Sequence, residues 1–262
     1  MRLEGKVVVV TGASMGIGEC IAKAFAADGA SVVLCSRDVT RAEAARSRIG
    51  FADRTLALAC DVRKREQIDE TVHATMQRFG RIDIWINNAG SGLQAAVASM
   101  DMGACREMFE TNLFGAVEAM QAVVPIMKSQ GSGSIVNISS VAGHIAVPGM
   151  AAYSGTKFAL NAIGKAARLE LKASGIHVMT VCPGYIRTEF SNNAVKGEGG
   201  VRFSASVTKK ISPERVAQAV LAGYVAGKRE IVVPASDRVK IKLYQLFPGA
   251  IEWFMARMLK LN

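Results

Sequence analysis

VVVVTGASMGIGECIAKAFAADGA, residues 7–30, runs from a continuous apolar stretch through Gly12, Gly16 and Gly18 into a pattern of helical period. A turn at the carboxyl end of a strand, followed at once by a helix, presents backbone N–H groups and the positive end of the helix dipole in one place. Glycine there allows both the tight turn and close approach of a diphosphate. The spacing is G-x-x-x-G-x-G rather than G-x-G-x-x-G. A plain strand–helix turn would also use glycine. The position of this cluster at the first strand–helix junction favours a dinucleotide loop made of Gly12, Ser14, Met15, Gly16, Ile17 and Gly18.

Outward from this turn, short Val- and Ile-rich runs alternate with helical stretches. Residues 6–12, 31–36, 55–61, 82–88, 133–139, 176–182 and 230–234 read as strands. Their apolar character is nearly continuous, which fits strands covered on both faces of a parallel sheet. Helical patterns fill 17–28, 38–49, 64–79, 103–130, 151–174 and 213–226, the last opened by Ser212-Pro213-Glu214: a capping hydroxyl, a first-turn proline and an acid. The alternation predicts an α/β fold, a Rossmann-like doubly wound parallel sheet of about seven strands with helices on both faces. With 262 residues, half of them hydrophobic, one domain over 1–236 is expected, followed by a helical tail over 237–262. There is no internal repeat, and the polar, Gly- and Ser-rich 192–206 reads as a loop.

Composition excludes several classes. No run of eighteen apolar residues occurs, so a spanning helix is not expected. The opening residues lack the pattern of a secretory signal. Cys20, Cys35, Cys60, Cys105 and Cys182 form no C-x-x-C and read as reduced thiols, which predicts a cytoplasmic protein. His73, His144 and His177 show no metal-ligand spacing, so no metal site is expected. The net charge of +10 comes entirely from residues 151–262, which hold 17 Lys/Arg against 7 Asp/Glu; residues 1–150 hold 15 of each. Such an excess suits a phosphorylated ligand, an acidic lipid surface or nucleic acid, and a solvated surface otherwise. No aromatic stacking set or nucleic-acid motif accompanies it, so no nucleic-acid partner is expected.

The end of the second strand separates the two nicotinamide dinucleotides. An acid there would bind the ribose hydroxyls and repel a 2′-phosphate. This chain has VVLCSRD at 32–38, with Ser36 and Arg37 where the acid would stand. Arginine binds phosphate through paired charge-assisted bonds, and Ser14 adds a donor, so NADP(H) is preferred over NAD(H). Asp38 follows Arg37 and also reads as a helix cap. Further along, AAYSGTKFALNAIGKAARLEL (151–171) sets Tyr153 and Lys157 one helical turn apart. A phenol with a reference pKa of roughly 10 is a poor proton carrier near neutrality unless its anion is favoured, and a cation one turn away would favour it.

TGASMGIG (11–18), NNAG (87–90), NISS (137–140), YSGTK (153–157) and PGYIRT (183–188) occur in this order. Together they resemble the short-chain dehydrogenase/reductase family over about residues 5–235. The resemblance implies hydride exchange between a nicotinamide and a carbon bearing oxygen. It makes Tyr153 the acid/base, with Lys157 lowering its pKa and binding the nicotinamide ribose. Ser140 would bond the reacting oxygen, Ser139 would border the cofactor, and Asn112 would hold a water in the proton relay. Asp61 and Val62 match the adenine contacts, and Asn88, Ala89 and Gly90 the adenosine-ribose side. Pro183, Gly184, Ile186 and Thr188 match the nicotinamide contacts. Homodimers or homotetramers are common in the family.

Substrate contacts in such a fold come from the loops beyond the strand ends, here 91–98, 141–152 and 185–212. The first two are almost uncharged, which favours a hydrophobic ketone, aldehyde or alcohol. Ser140, His144, Met150 and Tyr185 are the candidate substrate residues. Arg187, Lys196 and Arg202 suit an anionic group or plain solvent exposure. In the tail, Ile251, Trp253, Phe254, Met255, Met258, Leu259 and Leu261 make a broad apolar surface. Such a surface is to be buried over the substrate cleft, at a subunit interface, or by peripheral contact with a membrane. Two further functional classes stay open beside the oxidoreductase: a non-catalytic dinucleotide sensor and, on charge alone, a nucleic-acid-binding protein.

Overall fold

The computed structural model describes residues 1–187, 189–200 and 211–259. Seven strands form one sheet: β1 (Val7–Thr11), β2 (Ser31–Ser36), β3 (Thr55–Ala59), β4 (Ile84–Asn87), β5 (Gly133–Ile138), β6 (Ile176–Pro183) and β7 (Glu230–Val233). The spatial order is β3-β2-β1-β4-β5-β6-β7, every pairing parallel. The chain therefore winds outward in one direction from β1, then returns and winds the other way from β4. The crevice where the order reverses lies at the carboxyl ends of β1 and β4, where the glycine turn begins.

The helices are α1 (Gly16–Ala27), α2 (Val39–Ile49), α3 (Arg65–Phe79), α4 (Met102–Phe109), α5 (Gly115–Gln130), α6 (Ala151–Glu170), α7 (Phe190–Asn193), α8 (Pro213–Val225), α9 (Asp237–Leu246) and α10 (Pro248–Met258). The period-2 geometry of β1 explains its unbroken valines. Val8 and Val10 pack against Ile21 and Phe25 of α1 and Val216 and Val220 of α8. Val9 faces the opposite layer, with Ile68 of α3 and Ala119, Val123 and Met127 of α5. Both faces are dry, so neither parity of the strand can carry a polar side chain. At the amino ends of the strands, buried Asp83 accepts from Val7 N at 2.9 Å and from Lys6 Nζ at 3.0 Å, tying β1 to the start of β4.

The expected helix over 103–130 is interrupted. Residues Glu110–Phe114 form a π-helical segment between α4 and α5, and Asn112 lies within it, buried. Asp38 caps α2, accepting from Thr40 N at 2.9 Å, and Ser212 caps α8, accepting from Arg215 N at 3.4 Å. The tail is two helices, α9 and α10, that meet at Phe247. Through Ile241, α9 seals against Cys182 and Val232. No residue of α10 is buried, and Trp253 and Phe254 stand 63% and 56% exposed. The tail thus leaves its apolar face uncovered instead of folding it over a cleft of its own chain. Among the described residues no helix is long and apolar enough to cross a membrane.

Candidate active site

The glycine turn has the backbone the sequence demands. Gly12 and Gly16 sit in the left-handed region, at φ +64° and +60°. A Cβ on Gly18 would run into the Gly12 carbonyl oxygen and the Asn88 side-chain amide. No side chain caps the first turn of α1, whose capping position is Met15, so its leading N–H groups are left to a ligand or solvent. The walls of this turn come from β4. Asn88 Nδ2 donates to Thr11 O at 2.9 Å and Gly12 O at 3.0 Å, and the Asn88 and Ala89 N–H groups both donate to Thr11 Oγ1 at 3.0 Å. The Asn88 amide therefore fixes the shape of the loop, while Ala89 and Gly90 continue along the crevice. A phosphate cradle that a Cβ would fill, beside an uncapped helix start, fits a dinucleotide.

At the end of β2, Ser36 is buried and its Oγ accepts from Asp38 N at 3.4 Å; Arg37 is exposed. Asp38 caps α2 through Oδ1, and its Oδ2 lies 3.7 Å from Arg41 Nε. Asp61 is held by Arg63, Nη2 to Oδ2 at 2.6 Å, and that bond keeps its carboxyl below the usual range; Val62 beside it is buried. Sequence reasoning missed Arg48. From the last turn of α2 it reaches Glu19 at 2.7 Å and donates to Ser14 O at 3.2 Å. Nothing in a surface arginine 34 residues downstream points to the glycine loop.

Tyr153 and Lys157 lie on α6, which packs against the carboxyl end of β5. Lys157 Nζ donates to Ile138 O at 2.9 Å and stands 5.8 Å from the centre of the Tyr153 ring. Ser140 caps the turn that follows β5: its Oγ accepts from Ala142 N at 3.1 Å and donates to Pro183 O at 3.4 Å, and it lies near enough to Tyr153 to favour the phenolate. Burial dominates the two titrating groups. It pushes the Tyr153 phenol up to about 12, against the lowering effect of Ser140, and brings Lys157 down to about 8. In the chain alone, loss of water around the phenolate sets the direction of the Tyr153 shift. Ser139, also buried, hydrogen-bonds the Lys157 carbonyl at 3.4 Å.

Asn112 does not touch Lys157. Its Nδ2 donates to Ser91 O at 2.9 Å and Thr156 Oγ1 at 3.2 Å, and its Oδ1 accepts from Ser91 N at 2.8 Å. It pins the 91–98 loop to α6 one residue ahead of Lys157. Around Tyr153 the wall is apolar: Leu93, Ala95, Met108 and Ala142 are buried there, with Val147, Met150 and Phe190 packed against them. The three expected loops meet at this wall. Leu93–Gln94 pairs with Val195–Lys196, Ala95 bridges to Met150, and the Phe190 ring lies 5.6 Å from that of Tyr153. Phe190 escaped the sequence reading, although it is a large aromatic in the expected loop.

Other assignments distribute as follows. Pro183 and Gly184 end β6 beside Ser140, and Ile186 bridges to Ile211 next to half-buried Tyr185. Arg187 and Lys196 are exposed. Thr188 and Arg202 lie outside the described residues. His144 is a correction. Its Nε2 lies 3.4 Å from Cys182 Sγ and 3.4 Å from Asn161 Nδ2, and the side chain is 8% exposed. That nitrogen already has partners in the fold and is not presented to a substrate oxygen.

A model of the short chain dehydrogenase family matches residues 6–199. The chain belongs to this family. Short-chain dehydrogenases are oxidoreductases of the CH–OH/C=O class, and so is this chain. A Drosophila melanogaster dehydrogenase/reductase SDR family protein 7-like is 35% identical, covering 98% of this chain and 81% of the relative. The crystal structure of a metagenomic short-chain oxidoreductase in complex with NADP matches with a TM-score of 0.74 at 30% identity, over 88% of this chain and 98% of the other. That of a 3-ketoacyl-(acyl-carrier-protein) reductase from Brucella melitensis, complexed with NADH, matches with a TM-score of 0.79 at 27% identity, over 89% and 99%.

Proposed function

We propose that the chain is an NADP(H)-dependent oxidoreductase that interconverts a hydrophobic ketone or aldehyde with its alcohol. The observation that carries this reading is Tyr153: a phenol beside Ser140, one turn from a buried lysine, set in an otherwise apolar wall. Gly12, Ser14, Met15, Gly16, Ile17 and Gly18 would hold the diphosphate, Ser36 and Arg37 the 2′-phosphate, and Asp61, Val62, Asn88, Ala89 and Gly90 the adenosine. Lys157, Pro183, Gly184, Ile186 and Thr188 would hold the nicotinamide half. The bound cofactor supplies the hydride. Ser140 and Tyr153 donate hydrogen bonds to the substrate oxygen, and Tyr153 gives up its proton as charge grows there. Met150, Tyr185, Phe190 and Leu93 exclude water and select an apolar substrate.

Both NADP and NADH occur in related structures, so the preference rests on Arg37 and on the capping role of Asp38. The test is turnover, followed by nicotinamide absorbance with both cofactors on a panel of ketones, aldehydes and alcohols. Tyr153→Phe should abolish turnover and leave cofactor affinity intact; activity near wild type would refute the assignment. Arg37→Ala should weaken NADPH by about tenfold or more, the loss of a charge-assisted phosphate contact, and leave NADH unchanged. Cofactor binding without turnover on the whole panel would make the chain a dinucleotide sensor instead. We further propose a cytoplasmic homo-oligomer in which a second copy covers the exposed face of α10; peripheral contact with an acidic lipid surface is the competing use of that face.

A further inference from the structure

Three side chains unrelated to proton transfer meet at the far edge of the sheet. Cys182 is in β6 and Glu230 opens β7. In the parallel register Glu230 pairs with Thr180 and Cys182 with Val232, so Cys182 and Glu230 share one face of the sheet. His144, which ends the turn after β5, reaches over that face. Its Nε2 is 3.4 Å from Cys182 Sγ and 3.7 Å from Glu230 Oε2, and all three donor atoms lie within 4.8 Å of one another. Cys182 is buried, and the Glu230 side chain is 33% exposed, so the group opens to solvent on the glutamate side.

Two explanations of such a cluster make different geometric demands. A nucleophilic Cys–His–acid relay needs the thiol on one ring nitrogen and the carboxylate on the other. Here both converge on Nε2, and Asn161 Nδ2 also approaches it at 3.4 Å. One nitrogen carries one lone pair or one proton, and cannot satisfy three partners. A shared central cation can. Tetrahedral zinc bonds of about 2.0 Å to nitrogen or oxygen and 2.3 Å to sulfur set neighbouring donors about 3.3–3.5 Å apart, against 3.4 Å and 3.7 Å from the His144 nitrogen here.

We propose that His144, Cys182 and Glu230 form a binding site for a thiophilic divalent cation, zinc in the first place. Thiolate plus imidazole selects zinc over magnesium or calcium, which take oxygen ligands. Thiolate and carboxylate together neutralise the ion. That neutrality matters, because Lys165, Arg168, Arg229, Arg238 and Lys242 line the adjoining cavity of about 490 Å³ and would repel an uncompensated cation. The same lysines and arginines favour an anionic ligand, such as hydroxide, in the fourth position. The ion would cross-link β6, β7 and the 141–152 loop. It does not depend on the oxidoreductase reading, and its failure would leave that reading standing.

The test is titration of the whole chain, freed of metal by chelator, with Co²⁺ and Zn²⁺. One Co²⁺ per chain should bind with the visible bands of a four-coordinate ion and a thiolate charge-transfer band, and Zn²⁺ should displace it and raise the thermal midpoint. Glu230→Gln, at a partly exposed position, should weaken Co²⁺ by at least about tenfold, and His144→Phe should abolish the site. Cys182→Ala should remove the charge-transfer band; should that variant fail to fold, Glu230→Gln and His144→Phe carry the decision. Cys20→Ser, at the one cysteine that is not buried, should change nothing. The proposal is overturned if no Co²⁺ binds below millimolar concentration, or if the band survives His144→Phe and Glu230→Gln, or vanishes with Cys20→Ser.

Discussion

Lys157 shows how a single side chain ties stability to chemistry. Its pKa falls from the ordinary 10.5 to about 8 because burial disfavours the ammonium. Between those values the unfolded chain holds the proton and the folded chain has released it. The cost of burying the charge is therefore full below pH 8 and is relieved as pH rises toward 10.5, by about 3 kcal/mol at most. Urea unfolding of wild type and Lys157→Met should show the wild type gaining on the variant from pH 8 to 10; a constant difference would contradict the burial account. Tyr153, raised from 10 to about 12, works the other way above pH 10, where the folded chain keeps a proton that the unfolded one loses. In the proposed catalysis the protonated phenol is the donor, so carbonyl reduction should be flat from pH 6 to 8 while alcohol oxidation climbs. Both residues were legible as a pair at helical spacing. The burial of the phenol was not, because dehydration of an atom depends on what the whole fold lays over it.

The glycine turn is where one element constrains another. Gly18→Ala would push a methyl group into the Gly12 carbonyl and the Asn88 amide, which together hold α1 against β4. Such overpacking costs about 1–3 kcal/mol. NADPH affinity should fall together with the thermal midpoint, read by fluorescence titration and calorimetry; intact affinity would show that the loop tolerates displacement. The seven strands of the main sheet and most helix boundaries followed from apolar period, while α7 and the pairing of Leu93–Gln94 with Val195–Lys196 fell in stretches read as loops. The π-helical segment at Glu110–Phe114 did not follow from that period, since one extra residue in a helix leaves the periodic pattern almost unchanged. The commitment of Asn112 to Ser91 and Thr156 was equally hidden, resting on a contact across 44 residues of chain.

On the scale of the molecule, two clusters escaped the sequence for one reason. His144, Cys182 and Glu230 are spread over 87 positions and the cations of the adjoining cavity over 78, and only the order of β6 and β7 assembles them. The uncovered apolar face of α10 was legible from composition, its lack of cover only from the fold. Deleting 248–262 should leave the single chain folded, since no residue of α10 is fully buried, while lowering the mass in solution. An unchanged mass, with flotation on acidic liposomes lost on deletion, would assign the face to lipid. The reversal of strand order between β1 and β4 carries one more implication. The side chains proposed to choose between the two cofactors, Ser14, Ser36 and Arg37, are encoded before that seam, and those proposed to move the proton come well after it. A single genetic crossover within the β4 codons would give offspring the electron carrier of one parent and the chemistry of the other, so the two traits are free to evolve at separate rates.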